Sequence, residues 1–124
     1  MPTIICSEHV PAAVGPYSQA MQSGGFIFTS GQLPIEAATG TIPDSVEKQA
    51  RVSLDNVKAV LEKAGSSMRR VVKTTVFLSD MADFAVVNAV YAEYFSEPFP
   101  ARSCVEVARL PKDVLVEIEV IAES

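Results

Sequence analysis

Apolar and polar positions change their spacing several times along this chain, and each change marks an element. Thr3–Cys6 is short, apolar and β-favouring. A loop from Pro11 to Pro16 follows and leads through Val-Gly-Pro-Tyr-Ser-Gln, residues 14–19. Ser18–Gln22 reads as a strand, Gly24-Gly25 as a tight turn, and Phe26–Thr29 as the returning strand. Ser30-Gly31-Gln32-Leu33-Pro34 breaks that strand. Asp44 opens a helix three residues before Glu47, the spacing of a capping box. Val46, Ala50, Leu54, Val57, Leu61 and Ala64 then recur at steps of three and four, which is one helical face. Gly65 stands where a left-handed cap ends such a helix. Val71–Leu78 reads as a strand. Asp80 caps a second helix with the stripe Phe84, Val87, Tyr91 and Tyr94 or Phe95, ended by Pro98 and Pro100. Arg102–Ala108 and Val114–Ala122 close the chain as strands, and their proximity predicts a hairpin through Arg109–Asp113.

The predicted order is βββαβαββ, an α+β domain over residues 1–124 with two helices on one face of a sheet. Two helices cover only one sheet face. Phe26 and Phe28 flank Ile27, so that strand is apolar on both sides, and Val105 and Val107 line one side of theirs. That much wet apolar surface predicts that copies of the chain associate through their sheets.

Composition narrows the function. A chain of 124 residues with 48% hydrophobic and 20% charged residues falls in the range of one folded domain. Fifteen acids against ten bases give a net charge of −5, and the one basic cluster is Arg69, Arg70 and Lys73. Nucleic acid is not the expected partner. No apolar run approaches the ~20 residues of a membrane span, and the N-terminus lacks the pattern of a secretory signal. The expected compartment is the cytoplasm. Cys6 and Cys104 are too few for a disulfide framework, and one histidine, His9, leaves no metal-ligand pattern. Chemistry here is left to Arg, Glu, Tyr, backbone groups and water, with no metal or cofactor.

Strand alternation puts Arg102, Cys104 and Glu106 on one face of their strand, and Glu117 and Glu119 on one face of the last. If both charged faces point the same way, a guanidinium sits near carboxylates. A solvated, salt-bridged face is the plain alternative. Against it, Glu117 interrupts the most apolar strand of the chain, and Arg102 is the side chain suited to gripping a planar carboxylate. Cys104 reads as a small buried hydrophobe rather than a nucleophile, since no His lies near it in sequence. Its backbone N–H remains a candidate donor. Ser30-Gly31 is a turn or a place where a ligand approaches the backbone. Tyr17 is an exposed aromatic wall or a loop anchor. His9 reads as a surface loop residue, and Asn88 as a hydrogen bond tying its helix to a neighbour.

Pro100-Ala101-Arg102-Ser103-Cys104-Val105-Glu106-Val107-Ala108, followed by Val116-Glu117-Ile118-Glu119, resembles the signature of the RidA (YjgF-type) enamine/imine deaminases. Gly15-Pro16-Tyr17-Ser18-Gln19-Ala20, Thr29-Ser30-Gly31-Gln32 and Asn56-Val57 fit the same pattern, and Phe95–Pro100 is compact for it. The resemblance implies a chorismate-mutase-like fold, in which the final strand lies beside Val71–Leu78 rather than in a hairpin. It implies a homotrimer with sites between subunits, and hydrolysis of 2-aminoacrylate and related 2-imino acids to 2-keto acids and ammonia. It assigns Arg102 to the substrate carboxylate, with help from the Cys104 backbone N–H. Glu117 would handle the attacking water, and Tyr17, Ser30 and Gly31 would line the pocket. The rival expectation is a non-enzymatic binder of small carboxylates, in which Arg102 binds and Glu117 is structural. A ribonuclease role, a label attached to some relatives, conflicts with the acidic balance and the single loop histidine.

Overall fold

The structure, a computed structural model, describes residues 1–124. Its strands are β1 (Thr3–Ile5), β2 (Ala20–Ser23), β3 (Phe26–Thr29), β4 (Val71–Leu78), β5 (Ala101–Glu106) and β6 (Val116–Glu123). The helices are α1 (Val46–Lys63) and α2 (Phe84–Tyr94), so the predicted order βββαβαββ is the observed one. No helix is long and apolar enough to cross a membrane.

One mixed sheet runs β1-β2-β3-β6-β4-β5. Between β2 and β3, Ser23 pairs with Phe26 around Gly24 and Gly25. Both glycines have positive φ, 61° and 83°, the backbone that a two-residue hairpin of matching twist requires. β4 and β5 are parallel, joined by the crossover through α2. β6 lies antiparallel between β3 and β4.

The hairpin expected between the last two strands is therefore not formed, and the arrangement implied by the resemblance is. The physical reason lies in β6 itself. Val116, Ile118, Val120 and Ala122 all lie under the helices, at most 2% exposed. Only an interior strand position can bury them to that degree. β6 also starts later than predicted. Leu115 donates its N–H to Gln49 Oε1 on α1 instead of to a strand.

α1 buries Ala50, Leu54, Val57, Val60 and Leu61 completely against the sheet. Its cap is Ser45, not the expected Asp44: Ser45 Oγ accepts from Lys48 N at 3.2 Å. Asp80 likewise caps a short 3-10 turn, Met81–Asp83, by accepting from Ala82 N, and α2 begins only at Phe84. α2 sets Tyr91 OH 2.8 Å from Thr74 Oγ1 of β4 in a buried hydrogen bond.

Both helices lie on one face. Register places Met21, Phe28, Phe77, Val105 and Ile121 on the other, together with Glu117 and Glu119. No element covers it, and Phe28 and Val105 are more than 40% exposed. This is the open apolar face expected from the sequence.

Candidate active site

The site begins with a defect in the sheet. Phe28 faces Ile121, and the next pair is Gln32 with Ile118. Four steps along one strand thus match three along the other, a bulge. Inside it, Thr29 Oγ1 replaces a backbone acceptor and takes the N–H of Val120 at 3.0 Å. Ser30 turns away from β6, donating its N–H to Gln19 O and its hydroxyl to Ser18 O at 2.6 Å. Gly31 then passes directly over Glu117. A Cβ built on Gly31 overlaps Glu117 Oε2 and lies 2.7 Å from its Cδ. Only a residue without a side chain lets the carboxylate rest there.

Around this contact lies a cleft of about 600 Å³. Tyr17, Ser30, Gly31, Leu33, Lys112 and Glu117 are among its lining residues. Buried polar side chains fix its walls. Gln19 accepts from Ser7 N and donates to Ser7 O and Pro11 O, which pins the loop carrying Tyr17. From α1, Ser53 donates to Gln32 O, and Asn56 donates to Leu33 O and Ile35 O. Burial pushes the Glu117 carboxyl above the ordinary glutamate value, and the neighbouring Glu119 carboxylate adds to the shift.

Arg102 lies elsewhere. In register it sits beside Thr74, whose side chain faces α2, while Glu117 sits beside Phe77 on the open face. The two residues are on opposite faces of the sheet, so the condition that both charged faces point the same way is not met within one chain. The residues within each strand alternate as expected. What the sequence does not carry is the orientation of β5 relative to β6, which depends on β4 standing between them. Arg102 is itself well held. Its guanidinium stacks 4.8 Å from the Tyr91 ring and 5.4 Å from Phe84, and Nη1 donates to Asn88 Oδ1 at 2.7 Å. That bond is the tie expected of Asn88, and it leaves the rest of the guanidinium facing solvent.

Cys104 is half-buried against the core. Burial raises its thiol, partly opposed by the Arg102 guanidinium, so the thiol stays protonated. The Val107 N–H donates to Leu78 O. By alternation Ser103 and Val105 also face β4, and the N–H of Cys104 points off the open edge of the sheet. Glu106 is taken up locally, accepting from Met81 N at 2.7 Å. His9 is exposed beside Glu8, away from the cleft.

The chain therefore brings together Tyr17, Ser30, Gly31 and Glu117, and a second cluster holds Arg102 and Cys104. Leu33, Ile35, Pro111 and Lys112 also line the cleft and were not marked by the sequence reading. Their only sequence signal is membership of breaks between strands, which does not say what they face.

A bulged wall, a cleft carboxylate and a stacked arginine are thus set on one α+β sheet. Residues 7–124 match the model of the endoribonuclease L-PSP family, and the chain belongs to that family. It is 57% identical over 125 residues to the 2-iminobutanoate/2-iminopropanoate deaminase of Escherichia coli K12, covering 98% of both chains. The crystal structure of the yjgF gene product of E. coli superposes with a TM-score of 0.94 at 56% identity, covering 98% of each chain. That of E. coli TdcF with bound serine also gives 0.94, at 50% identity and the same coverage.

Proposed function

We propose that this chain is a hydrolytic deaminase of small 2-enamine and 2-imino acids, acting as a homotrimer with each site shared by two protomers. The observation that carries the reading is the division of the candidate residues. Glu117 with its cleft lies on one face of the sheet, and Arg102 with the Cys104 N–H lies at the edge of the other. A second copy whose β5 edge meets the Glu117 cleft of the first would bring one of each together. The name of the 57% identical relative and the serine bound to TdcF support a small amino-acid-like substrate.

The roles follow from the groups. Arg102, fixed by Asn88 and the Tyr91 ring, takes the substrate carboxylate through its free donors. The Cys104 N–H adds a second donor, and its thiol takes no part. The enamine tautomerises to the imine, whose carbon becomes electrophilic once nitrogen is protonated. Glu117 positions a water for attack and accepts its proton. Its raised affinity for that proton makes it a stronger base than an ordinary carboxylate, and lets it pass the proton to the departing amine. The carbinolamine then collapses to 2-keto acid and ammonia. Imines hydrolyse in water unaided, so orientation and one base suffice, without metal, cofactor or covalent nucleophile. The work falls in the cytoplasm, where such intermediates leave pyridoxal-phosphate dehydratases and damage other enzymes of that kind.

Mixing two inactive variants tests the shared site. Arg102→Ala and Glu117→Gln proteins are assayed for ammonia release in a serine dehydratase reaction, alone and after co-refolding. Alone, each is inactive. In random mixed trimers about a quarter of the sites combine an intact arginine with an intact glutamate, and activity returns in that proportion. No recovery from verified mixed trimers, or a monomer by light scattering, overturns the shared site.

A further inference from the structure

The loop from Val107 to Leu115 holds two adjacent residues in left-handed backbone, Lys112 with φ 57° and Asp113 with φ 55°. Neither is glycine, and such a pair persists only where its surroundings enforce it. The enforcement is visible. Leu110 and Val114 are buried on either side of the turn. Asp113 N donates to Leu110 O, and Val114 N to Pro111 O. Arg109 closes the loop on Asp113 with two hydrogen bonds, Nε to Oδ1 at 2.6 Å and Nη2 to Oδ2 at 3.1 Å.

The turn has an electrostatic result. Arg109 and Asp113 neutralise each other at the loop base. Lys112 takes part in none of the chain's ion pairs and faces the cleft. The only charged side chains lining that cleft are Lys112 and Glu117. A 2-imino acid is an anion. It must enter a protein of net charge −5, beside Glu117 with Glu119 next to it on the strand.

We propose that Lys112 is the anion-capture residue of this cleft, held at its wall by the strained turn so that a carboxylate-bearing substrate is drawn in past Glu117. The inference rests on the deaminase reading and adds a determinant to it. Lys112 raises the local concentration of anionic substrate, and Arg102 of the neighbouring protomer then fixes the carboxylate. Because Lys112 acts on encounter and binding, its loss appears in KM rather than kcat.

The test uses Lys112→Gly, Lys112→Glu and Lys112→Arg in the assembled protein. Glycine suits the left-handed backbone, so Lys112→Gly keeps the turn and removes only the charge. At low ionic strength its kcat/KM falls by about threefold, and that of Lys112→Glu by about tenfold, as expected for one unit charge removed or reversed several ångströms away. The differences shrink in concentrated salt, and Lys112→Arg restores the wild-type value. Binding of 2-ketobutanoate, measured by calorimetry, weakens in the same order. If the turn alone mattered, Lys112→Gly would match or exceed the wild type in stability and keep its kcat/KM and binding. That result overturns the inference. If wild-type protein binds 2-ketobutanoate but releases no ammonia from the imine, the deaminase reading fails instead. The binding series then still decides whether Lys112 captures anions.

Discussion

Gly31→Ala is the sharpest perturbation available. The added methyl lies 3.0 Å from Glu117 Cγ and 2.7 Å from Cδ. Comfortable carbon contacts need about 3.5–4.0 Å, and the methyl overlaps Glu117 Oε2 outright, so the carboxyl group must move by more than about 1 Å. The backbone has no reason to resist, since Gly31 does not lie in the left-handed region. The clash is with the end of a flexible side chain, and alanine also restricts the unfolded chain by about 0.4–1 kcal/mol. Folding stability should therefore change by less than about 1 kcal/mol. Turnover should fall by about a hundredfold, the scale of a 1 Å misplacement of a reacting group. The assay pairs thermal unfolding with keto-acid release from dehydratase-generated 2-aminoacrylate. Gly25→Ala is the mirror control, with φ 83° and no neighbour within 4 Å of the new methyl. It should lose about 1–2 kcal/mol of stability to left-handed strain and keep its turnover. A Gly31→Ala protein with wild-type turnover, or one whose loss tracks unfolding, would refute the contact between Gly31 and Glu117 as the basis of the site.

Three further outcomes are expected. Arg102→Lys keeps the charge but loses the paired donors, and Arg102→Ala removes both, with the alanine variant losing about 2–4 kcal/mol in kcat/KM; equal activity of all three proteins excludes Arg102 from carboxylate binding. In the proposed mechanism Glu117 acts ionised, and burial holds its carboxyl above the ordinary glutamate value, so kcat/KM falls on the acid side at a higher pH than for an ordinary glutamate; Glu119→Gln removes the neighbouring charge and moves that limb to lower pH, whereas an unmoved limb assigns it to another group. Cys104→Ser is expected to keep most activity, since the proposed role uses only the backbone N–H and burial keeps the thiol protonated, and complete loss in a folded variant would revive the thiol as nucleophile.

Elements were legible where spacing alone decides them. The stripe from Val46 to Ala64 and the Gly24-Gly25 turn carry their own geometry. Boundaries slipped where one polar side chain competes with its neighbour, as Ser45 does with Asp44 at the start of α1. The position of β6 was not legible from periodicity, because an alternating apolar strand looks the same in a hairpin and in mid-sheet; only the family likeness carried it. The site divides in the same way. Arg102 and Glu117 stand out as charges in apolar strands, but their opposite faces depend on β4 lying between them. Gly31 was marked as a place of close approach, and what approaches, Glu117, is an event 86 residues away in sequence. Lys112 gave no signal, since a lysine in a loop is ordinary until its backbone angles are known.

The place of β6 also sets the order in which this chain can fold. Before it arrives, β1-β2-β3 and β4-β5 are two separate half-sheets with no hydrogen bond between them. The strand that joins them is the last in sequence, and its partners Phe28 and Phe77 lie 93 and 40 residues upstream. Such long-range pairing makes closure slow compared with formation of either half. During synthesis the inner edges of both half-sheets stay unpaired until residue 116 and beyond are available, and open edges invite wrong partners. A chain cut just before Val116 would retain both helices, Arg102 and the loop of Ser30, yet have no strand to join its two half-sheets. Its expected fate is aggregation rather than a weakened enzyme.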